Sequence, residues 1–508
     1  MMKFILIGIY VAMLIGVGIY SMRKTSSVQD FFLGGRNIGP WMSAFAYGTT
    51  YFSAVIFIGY AGGIGWDFGI SATWIAVGNA FLGSYLAWRV LAKRTRAITH
   101  RLNVSTMPEF FERRYNSRAL KVLSAIVIFV FLVPYSASVY QGLSYLFEQV
   151  LGIPFIYCMV GMAIVTGIYI ILGGYFAMAI TDFIQGIIMI GGICLMIFYV
   201  LRNPIVNGIS GGIESLKKID PQLTGPIGPG GFYPLLSLVI LTSLGSWGLP
   251  QMIHKFYAIK DDASVKRATV ISTLFALLVA GGAYFTGSFG RLFLDNKLPI
   301  DAVTGNANVD MIMPRLLELA LPEVLMGVIL ILVLSASMST LSSLVLVSSS
   351  AISMDLIKGV LMPNLSKKNV MLVMRLLCAL FVLVSFVIAV TNKAGILTLM
   401  SFSWGTIAGA FLAPFLYGLY WRGTTKMGAW SGILSGLGTS LILAIVGGLN
   451  AKDAPIIGAI AMAVSLLVVP TVSLFTKKYS EEYLDEIYGA EEKKEDGVSI
   501  QDLIPKRF

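Results

Sequence analysis

The sequence predicts an all-α polytopic membrane protein of about 13 transmembrane helices that contains two inverted five-helix repeats. Three observations predict it. Of 508 residues, 56% are apolar and only 12% charged, where a soluble chain wets its surface with about a quarter charged residues. Apolar runs long enough to cross a hydrocarbon core of about 30 Å recur along nearly the whole chain. Two of these runs are interrupted by Gly and Pro and lie five spans apart, the spacing of an inverted repeat whose interface holds the binding site.

The runs fall near 3–22, 40–62, 68–92, 119–149, 154–176, 179–201, 233–254, 267–290, 321–355, 369–391, 394–420, 427–448 and 455–476. The first is too long for a signal-peptide core and is followed by Arg23-Lys24, a stop-transfer flank. The transporter domain is therefore 1–476, with repeat one over about 40–201 and repeat two over about 233–420, followed by a charged cytoplasmic tail at 477–508. The net charge of +11 sits in short loops, so it is a topology signal and not a nucleic-acid footprint. Loops after odd-numbered spans hold Lys93, Arg94, Arg96, Arg101, Arg113, Arg114 and Arg118, then Lys255, Lys260, Lys266 and Arg267, then Lys358, Lys367, Lys368, Arg422 and Lys426. The opposite side holds about nine Lys/Arg, a bias of about two to one that places the N-terminus outside and the C-terminus in the cytoplasm of a multi-pass cell-membrane protein. Two longer external segments, 203–232 and 291–320, interrupt the pattern, and MIMPRLLELALP in the second is expected to form a short interfacial helix. Cys158, Cys194 and Cys378 show no metal-ligand or disulfide spacing and are expected as small apolar residues.

The interrupted spans carry the functional information. Span 2 reads WMSAFAYGTTYFSAVIFIGYAGG and span 7 LTSLGSWGLPQMIHKF. Gly48-Thr49-Thr50 in the first and Gly245, Gly248 and Pro250 in the second weaken the helix, and freed backbone groups at membrane depth must meet protein, water or an ion. Span 9, ILVLSASMSTLSSLVLVSSSA, places Ala336, Ser339 and Thr340 on one helical face, with Ser342 and Ser343 continuing around it. Such hydroxyls either join unwound carbonyls in a cage for a hard cation or bond their own i−4 carbonyls and glue helices together. Asp182, in GGYFAMAITDFIQG, is either an ion ligand or a helix N-cap. Glu109, in VSTMPEFFERRY, is expected to cap a loop helix, and His254 to lie near a span end. The chain contains no GxxxxGK[ST], HExxH or GxSxG pattern and only two histidines. It is therefore not expected to be an enzyme or a nucleotide motor, and uphill transport would draw on an ion gradient.

LGGRNIG, TMPEFFERRY, ILGGYFAMAITDFIQG, GLPQMIHKF and ASMSTLSSLVLVSSSAISMDL, in this order, make the chain resemble the sodium:solute symporter family. The resemblance covers 32 to the end of span 13. It implies a leucine-transporter-like fold with one extra N-terminal helix and sodium as the coupling ion. It also implies a sodium site of the Thr49, Phe52 and Ala336 carbonyls with the Ser339 and Thr340 hydroxyls. Relatives with a second sodium use positions matching Asp182, Ser339, Ser342 and Ser343. The implied solute lining is Tyr51, Ser53, Phe57, Tyr140, Gln141, Trp247, Gln251 and Trp404. Proline carriers of the family have an acidic residue where Tyr51 stands, and aromatic residues where Thr242 and Ser246 stand. The expected function is import of a small polar solute by alternating access, leaning to proline or a similar small amino or organic acid. Pantothenate, monocarboxylate, sugar or sialic acid symport, and proton coupling, are the alternatives. The expected partners are the solute, sodium and the lipid bilayer, with no nucleic acid and no protein partner indicated.

Overall fold

The computed structural model describes residues 2–22, 28–301, 305–391, 394–447, 450 and 453–489. Arg23-Lys24 and the last part of the tail, 490–508, lie outside the described residues. Among the described residues there is no strand, only the isolated bridges Ile38–Ile259 and Ile300–Ala307.

Helix α1 spans Met2–Met22. The first interrupted span opens with α2, Pro40–Tyr51, and resumes at Val55–Tyr60 and α3, Ala61–Phe68. After a tight turn, α4, Thr73–Ala80, begins a helical run that continues to Arg101. The short helix α5, Met107–Tyr115, is N-capped by Thr106. The Thr106 hydroxyl accepts from the Glu109 N–H at 3.1 Å, and Glu109 Oε2 accepts from the Ser105 N–H at 2.7 Å, a reciprocal cap of the kind the Thr-x-x-Glu spacing encodes. Helix α6 is Arg118–Leu151, with Pro134 inside it.

Helix α7, Phe155–Arg202, is kinked at Gly174, where φ is +60°. A Cβ there would lie 2.6 Å from the Phe31 ring, so both the backbone sign and the close approach require glycine. The second interrupted span is α8, Phe232–Leu244, a tight turn over Gly245–Gly248, and α9, Pro250–Ala258, bent by 47°. The remaining long helices are α10 (Asp262–Gly287), α11 (Glu323–Ser350), α12 (Lys367–Thr391), α13 (Ile396–Tyr420), α14 (Lys426–Val446) and α15 (Ala454–Leu474), with α16 (Glu481–Tyr488) closing the described chain. The short helix expected before span 9 is Ile312–Ala320.

Among the described residues ten helices are long and apolar enough to cross a membrane, or eleven with the bent α8–α9 pair as one span, against the 13 expected. The α2 limb has only 12 residues before its break, the turn at Gly69, with φ +59° and ψ −138°, separates the Val55–Phe68 limb from the helix that runs on to Arg101, and the first limb of α7 is described with its side chains over Phe155–Ile168.

Burial separates core from periphery. In the windows around Leu325–Leu361 and Ile396–Tyr420, 89% of residues are buried inside the protein, against 33% for Lys367–Thr391 and Lys426–Val446. Thus α11 and α13 are the core, and α12 and α14 present apolar faces such as Leu383, Ile442 and Ile445 outward, as a lipid-facing helix must. Cys158 and Cys378 are buried and Cys194 faces outward.

The tail begins by docking. Tyr479 Oη donates to the Tyr115 carbonyl at 2.6 Å, Tyr488 Oη to the Gly418 carbonyl at 2.7 Å, and Arg422 pairs with Glu481 and Asp485 at 2.9 and 2.6 Å. The acidic helix α16 thus seats on the basic loops that hydropathy assigns to one face.

Candidate functional site: an oxygen-lined cage between an interrupted helix and a continuous one

Helix α2 ends where Phe52 turns extended, at φ −110° and ψ 98°, with its N–H still donating to the Gly48 carbonyl. The helical pattern would next have paired the Thr49 and Thr50 carbonyls with residues 53 and 54. Instead both meet the Thr340 hydroxyl of α11, at 3.3 and 3.2 Å, and the same hydroxyl lies 3.1 Å from the Ala336 carbonyl. Ser339 Oγ donates to Thr49 Oγ1 at 2.7 Å. Thr49, Ala336, Ser339 and Thr340 therefore converge on one point, fully buried, with no fixed charge among them. Phe52 supplies the break itself. This oxygen-rich, charge-free cluster suits a hard monovalent cation shedding its water.

The break lies at Phe52–Ser53, not at Gly48–Thr50. Gly48 serves packing: a Cβ there would sit 2.4 Å from the Phe275 ring of α10. In span 7 the break falls where expected, with Leu249 extended ahead of Pro250.

Lining candidates divide by location. Tyr51 Oη donates to the Thr242 carbonyl at 2.5 Å and lies 3.3 Å from Asn79 Oδ1, and its ring stacks on Phe52 and Trp404 at 4.5 and 5.9 Å. Asn79 Oδ1 also accepts from Thr242 and Ser243 at 2.8 and 3.1 Å, so α4 clamps the end of α8. Tyr135 of α6 meets the Trp404 ring edge-on at 5.7 Å, with its hydroxyl among Ser53, Thr340 and the Trp404 indole. The Tyr135 hydroxyl, the Trp404 N–H and both ends of the Gln251 amide are buried and make no hydrogen bond among the described residues. Ser53 accepts from the Val55 N–H at 3.2 Å, Phe57 is buried, and Trp247 donates to the Leu82 carbonyl at 3.0 Å. Tyr140 and Gln141 point elsewhere: Tyr140 lies beside Thr166 of α7, and Gln141 Nε2 donates to the Ala389 carbonyl of α12 at 3.2 Å. Asn79 and Tyr135 carry no motif; Tyr135 could have been found only by knowing the register of α6 beyond Pro134.

Gly83 makes room for Tyr51, since a Cβ there would lie 2.1 Å from its Oη. Gly83→Ala should displace that hydroxyl and lose a hydrogen bond of about 1 kcal/mol. A roughly fivefold weaker half-saturation for solute, with sodium dependence unchanged, is the expected uptake result.

Asp182 and Lys255 depart furthest from their sequence-level placement. Asp182 lies two turns past the Gly174 kink, and neither of its oxygens accepts a hydrogen bond from a backbone N–H or any other donor among the described residues, which removes the N-cap reading. Lys255 was expected in a loop. It is wholly buried at the end of α9, 3.8 Å from Asp182 Oδ2, itself wholly buried, and donates to Ser343 Oγ at 3.1 Å. Ser343 Oγ is 2.8 Å from Thr50 Oγ1, while Ser342 Oγ turns back to the Ser339 carbonyl at 2.8 Å. His254 is likewise buried, its ring 4.3 Å from Phe32 and 4.9 Å from Tyr175.

Comparison with known proteins decides the family. The sodium:solute symporter family profile matches residues 31–436. The chain belongs to the sodium:solute symporter family. Among its relatives, the sodium/proline symporter of Salmonella typhimurium is 31% identical over 444 residues, covering 85% of this chain and 86% of that one. The high-affinity proline transporter PutP of Bacillus subtilis is 31% identical over 476 residues, covering 92% and 97%. A Na+-coupled sialic acid symporter, solved substrate-bound and outward-open, superposes with a TM-score of 0.76 at 18% identity, covering 94% of this chain and 99% of that one. That superposition establishes the fold of this family member as leucine-transporter-like.

Proposed function

We propose that this symporter imports a small carboxylate-bearing solute, with proline the leading case, driven by sodium moving inward through the Thr49–Ala336–Ser339–Thr340 cage. The observation that carries the coupling is the Thr340 hydroxyl, held against three carbonyls from two helices of opposite repeats. Sodium in place of those hydrogen bonds would tie α2 to α11. It would pre-form the adjacent solute pocket, so each ligand raises the affinity of the other. For the solute, the unbonded Tyr135 hydroxyl and Trp404 N–H beside the cage are two donors for a carboxylate, and Gln251 offers an amide. Bonding by neutral dipoles fits a zwitterion, and the curated relatives are proline transporters. The loop charge bias supports an outside N-terminus and cytoplasmic loops at the end bearing α5 and α16.

The test is uptake into proteoliposomes of radiolabelled proline, pantothenate, lactate, glucose and sialic acid, with inward sodium or proton gradients imposed separately. Sodium-driven proline uptake, competed by other small amino acids, is expected. Uptake driven by a proton gradient without sodium would sink the coupling, and preference for a sugar would sink the solute class.

A further inference from the structure

The Asp182–Lys255 pair lies beside the cage but is not part of it. A carboxylate that stays ionised with no access to water needs a compensating cation, because an isolated buried charge costs far more than a protein can absorb. Two cations are available in principle: a second sodium, using Asp182, Ser339, Ser342 and Ser343, or one supplied by the chain. The geometry favours the second. Lys255 Nζ stands 3.8 Å from Asp182 Oδ2, and both side chains are wholly buried. It donates to Ser343 Oγ at 3.1 Å and lies 5.3 Å from the centre of the Tyr175 ring, a face that stabilises a cation. The hydroxyl of Ser342 is turned to its own helix, 2.8 Å from the Ser339 carbonyl. Of the four oxygen-bearing groups a second sodium would use, Asp182 is paired with an ammonium, Ser343 is bonded by it, Ser342 is turned away, and Ser339 donates into the cage to Thr49 Oγ1 at 2.7 Å.

We infer that the Lys255 ammonium is a built-in cation that takes the place of a second sodium, so that the transporter binds a single sodium. This rests on the sodium-coupled reading above. Two positive charges about 4 Å apart, sharing one carboxylate in a partly screened interior, disfavour the second ion by on the order of 1,000-fold. Lys255 also hydrogen-bonds Ser343, whose hydroxyl reaches Thr50 beside the cage at 2.8 Å. The tethered cation thus braces α9 of one repeat against α7 and α11, the contact a second sodium would otherwise make.

Equilibrium binding of radiolabelled sodium to the purified full-length protein tests this without knowing the solute. Wild type should bind one sodium per chain. Lys255→Met, which leaves Asp182 uncompensated, should bind two. The double variant Asp182→Asn/Lys255→Met removes both charges together, a change that buried pairs tolerate. It should bind one, with the affinity of wild type within about threefold, and it keeps the test decisive if the single variant fails to fold. Two sodium ions on wild type, with one lost in the double variant, would overturn the inference and return Asp182 to the ion ligands. A Lys255→Met protein that folds and still binds one would overturn it as well. No sodium on any variant would fail the sodium-coupled reading, and this inference with it.

Discussion

Replacing Thr340 with alanine should raise the sodium concentration for half-maximal uptake by about 10- to 100-fold. Among the described residues the Thr340 hydroxyl is the one side-chain oxygen that faces the Thr49, Thr50 and Ala336 carbonyls together, so its loss would remove an inner ligand of the proposed sodium site, which has no carboxylate to compensate. An interaction with a charged partner is worth about 1.5–3 kcal/mol, which corresponds to the stated range. Thr340→Ser retains the oxygen and should stay within about threefold of wild type. Ser339→Ala should cost less than Thr340→Ala, because Ser339 reaches the cage through the Thr49 hydroxyl. The rival account is that Thr340 merely back-bonds the Ala336 carbonyl, as threonines in membrane helices do. Thermal unfolding with and without sodium separates the two. A back-bond alone would lower the midpoint equally in both conditions. An ion ligand would shrink the upward shift that sodium produces.

How far the site could be read in advance depended on which physical signal each part carries. Apolar runs report burial from water, and they located most of the spans; they do not report breaks, so span 2 was placed without regard to the interruption after Tyr51. Gly and Pro report backbone permissiveness but not its use. Gly245, Gly248 and Pro250 do mark a break, whereas Gly48 admits the Phe275 ring and leaves the unwinding to Phe52–Ser53. Lys255 was misplaced because hydropathy treats any lysine as a boundary. Phe256, Tyr257 and Ala258 continue the buried helix beyond it, and only Asp182, 73 positions earlier, explains how the charge is tolerated. Tyr135 and Asn79 were invisible for a related reason: α6 is buried all round over Tyr135–Ser144, so no apolar stripe fixes which tyrosine faces the cage. Docking of α16 depends on groups more than 300 positions away on α5, beyond the reach of any local pattern.

Arg114→Ala should destabilise the protein by about 3 kcal/mol or more. The Arg114 guanidinium is wholly buried, and Nε donates to the Gly418 carbonyl at 3.0 Å and to Tyr488 Oη at 2.9 Å. Nη2 reaches the Trp421 and Thr424 carbonyls at 3.1 and 3.3 Å. Gly418 and Trp421 lie at the C-terminal end of α13, the negative pole of its dipole, and Thr424 lies in the turn beyond it. Removing the guanidinium would strip a charged donor from all three and leave the cavity of a buried side chain, although Gly418 keeps Tyr488 Oη and Trp421 keeps Thr424 as donors. Lysine keeps the charge but not the planar fork that spans three carbonyls, so Arg114→Lys should fall between. Tyr488→Phe removes one hydroxyl, at about 1 kcal/mol. The expected order of unfolding midpoints is wild type, Tyr488→Phe, Arg114→Lys, Arg114→Ala, and an Arg114→Ala protein melting with wild type would refute it. The consequence reaches transport, because Arg114 fastens α5 and α16 to the end of the same α13 whose Trp404 flanks the proposed solute pocket. Any closing movement of α13 must carry that clamp with it or break it. Arg114→Ala should therefore lower the maximal uptake rate more than it changes half-saturation for sodium, the reverse of the pattern expected for Thr340→Ala.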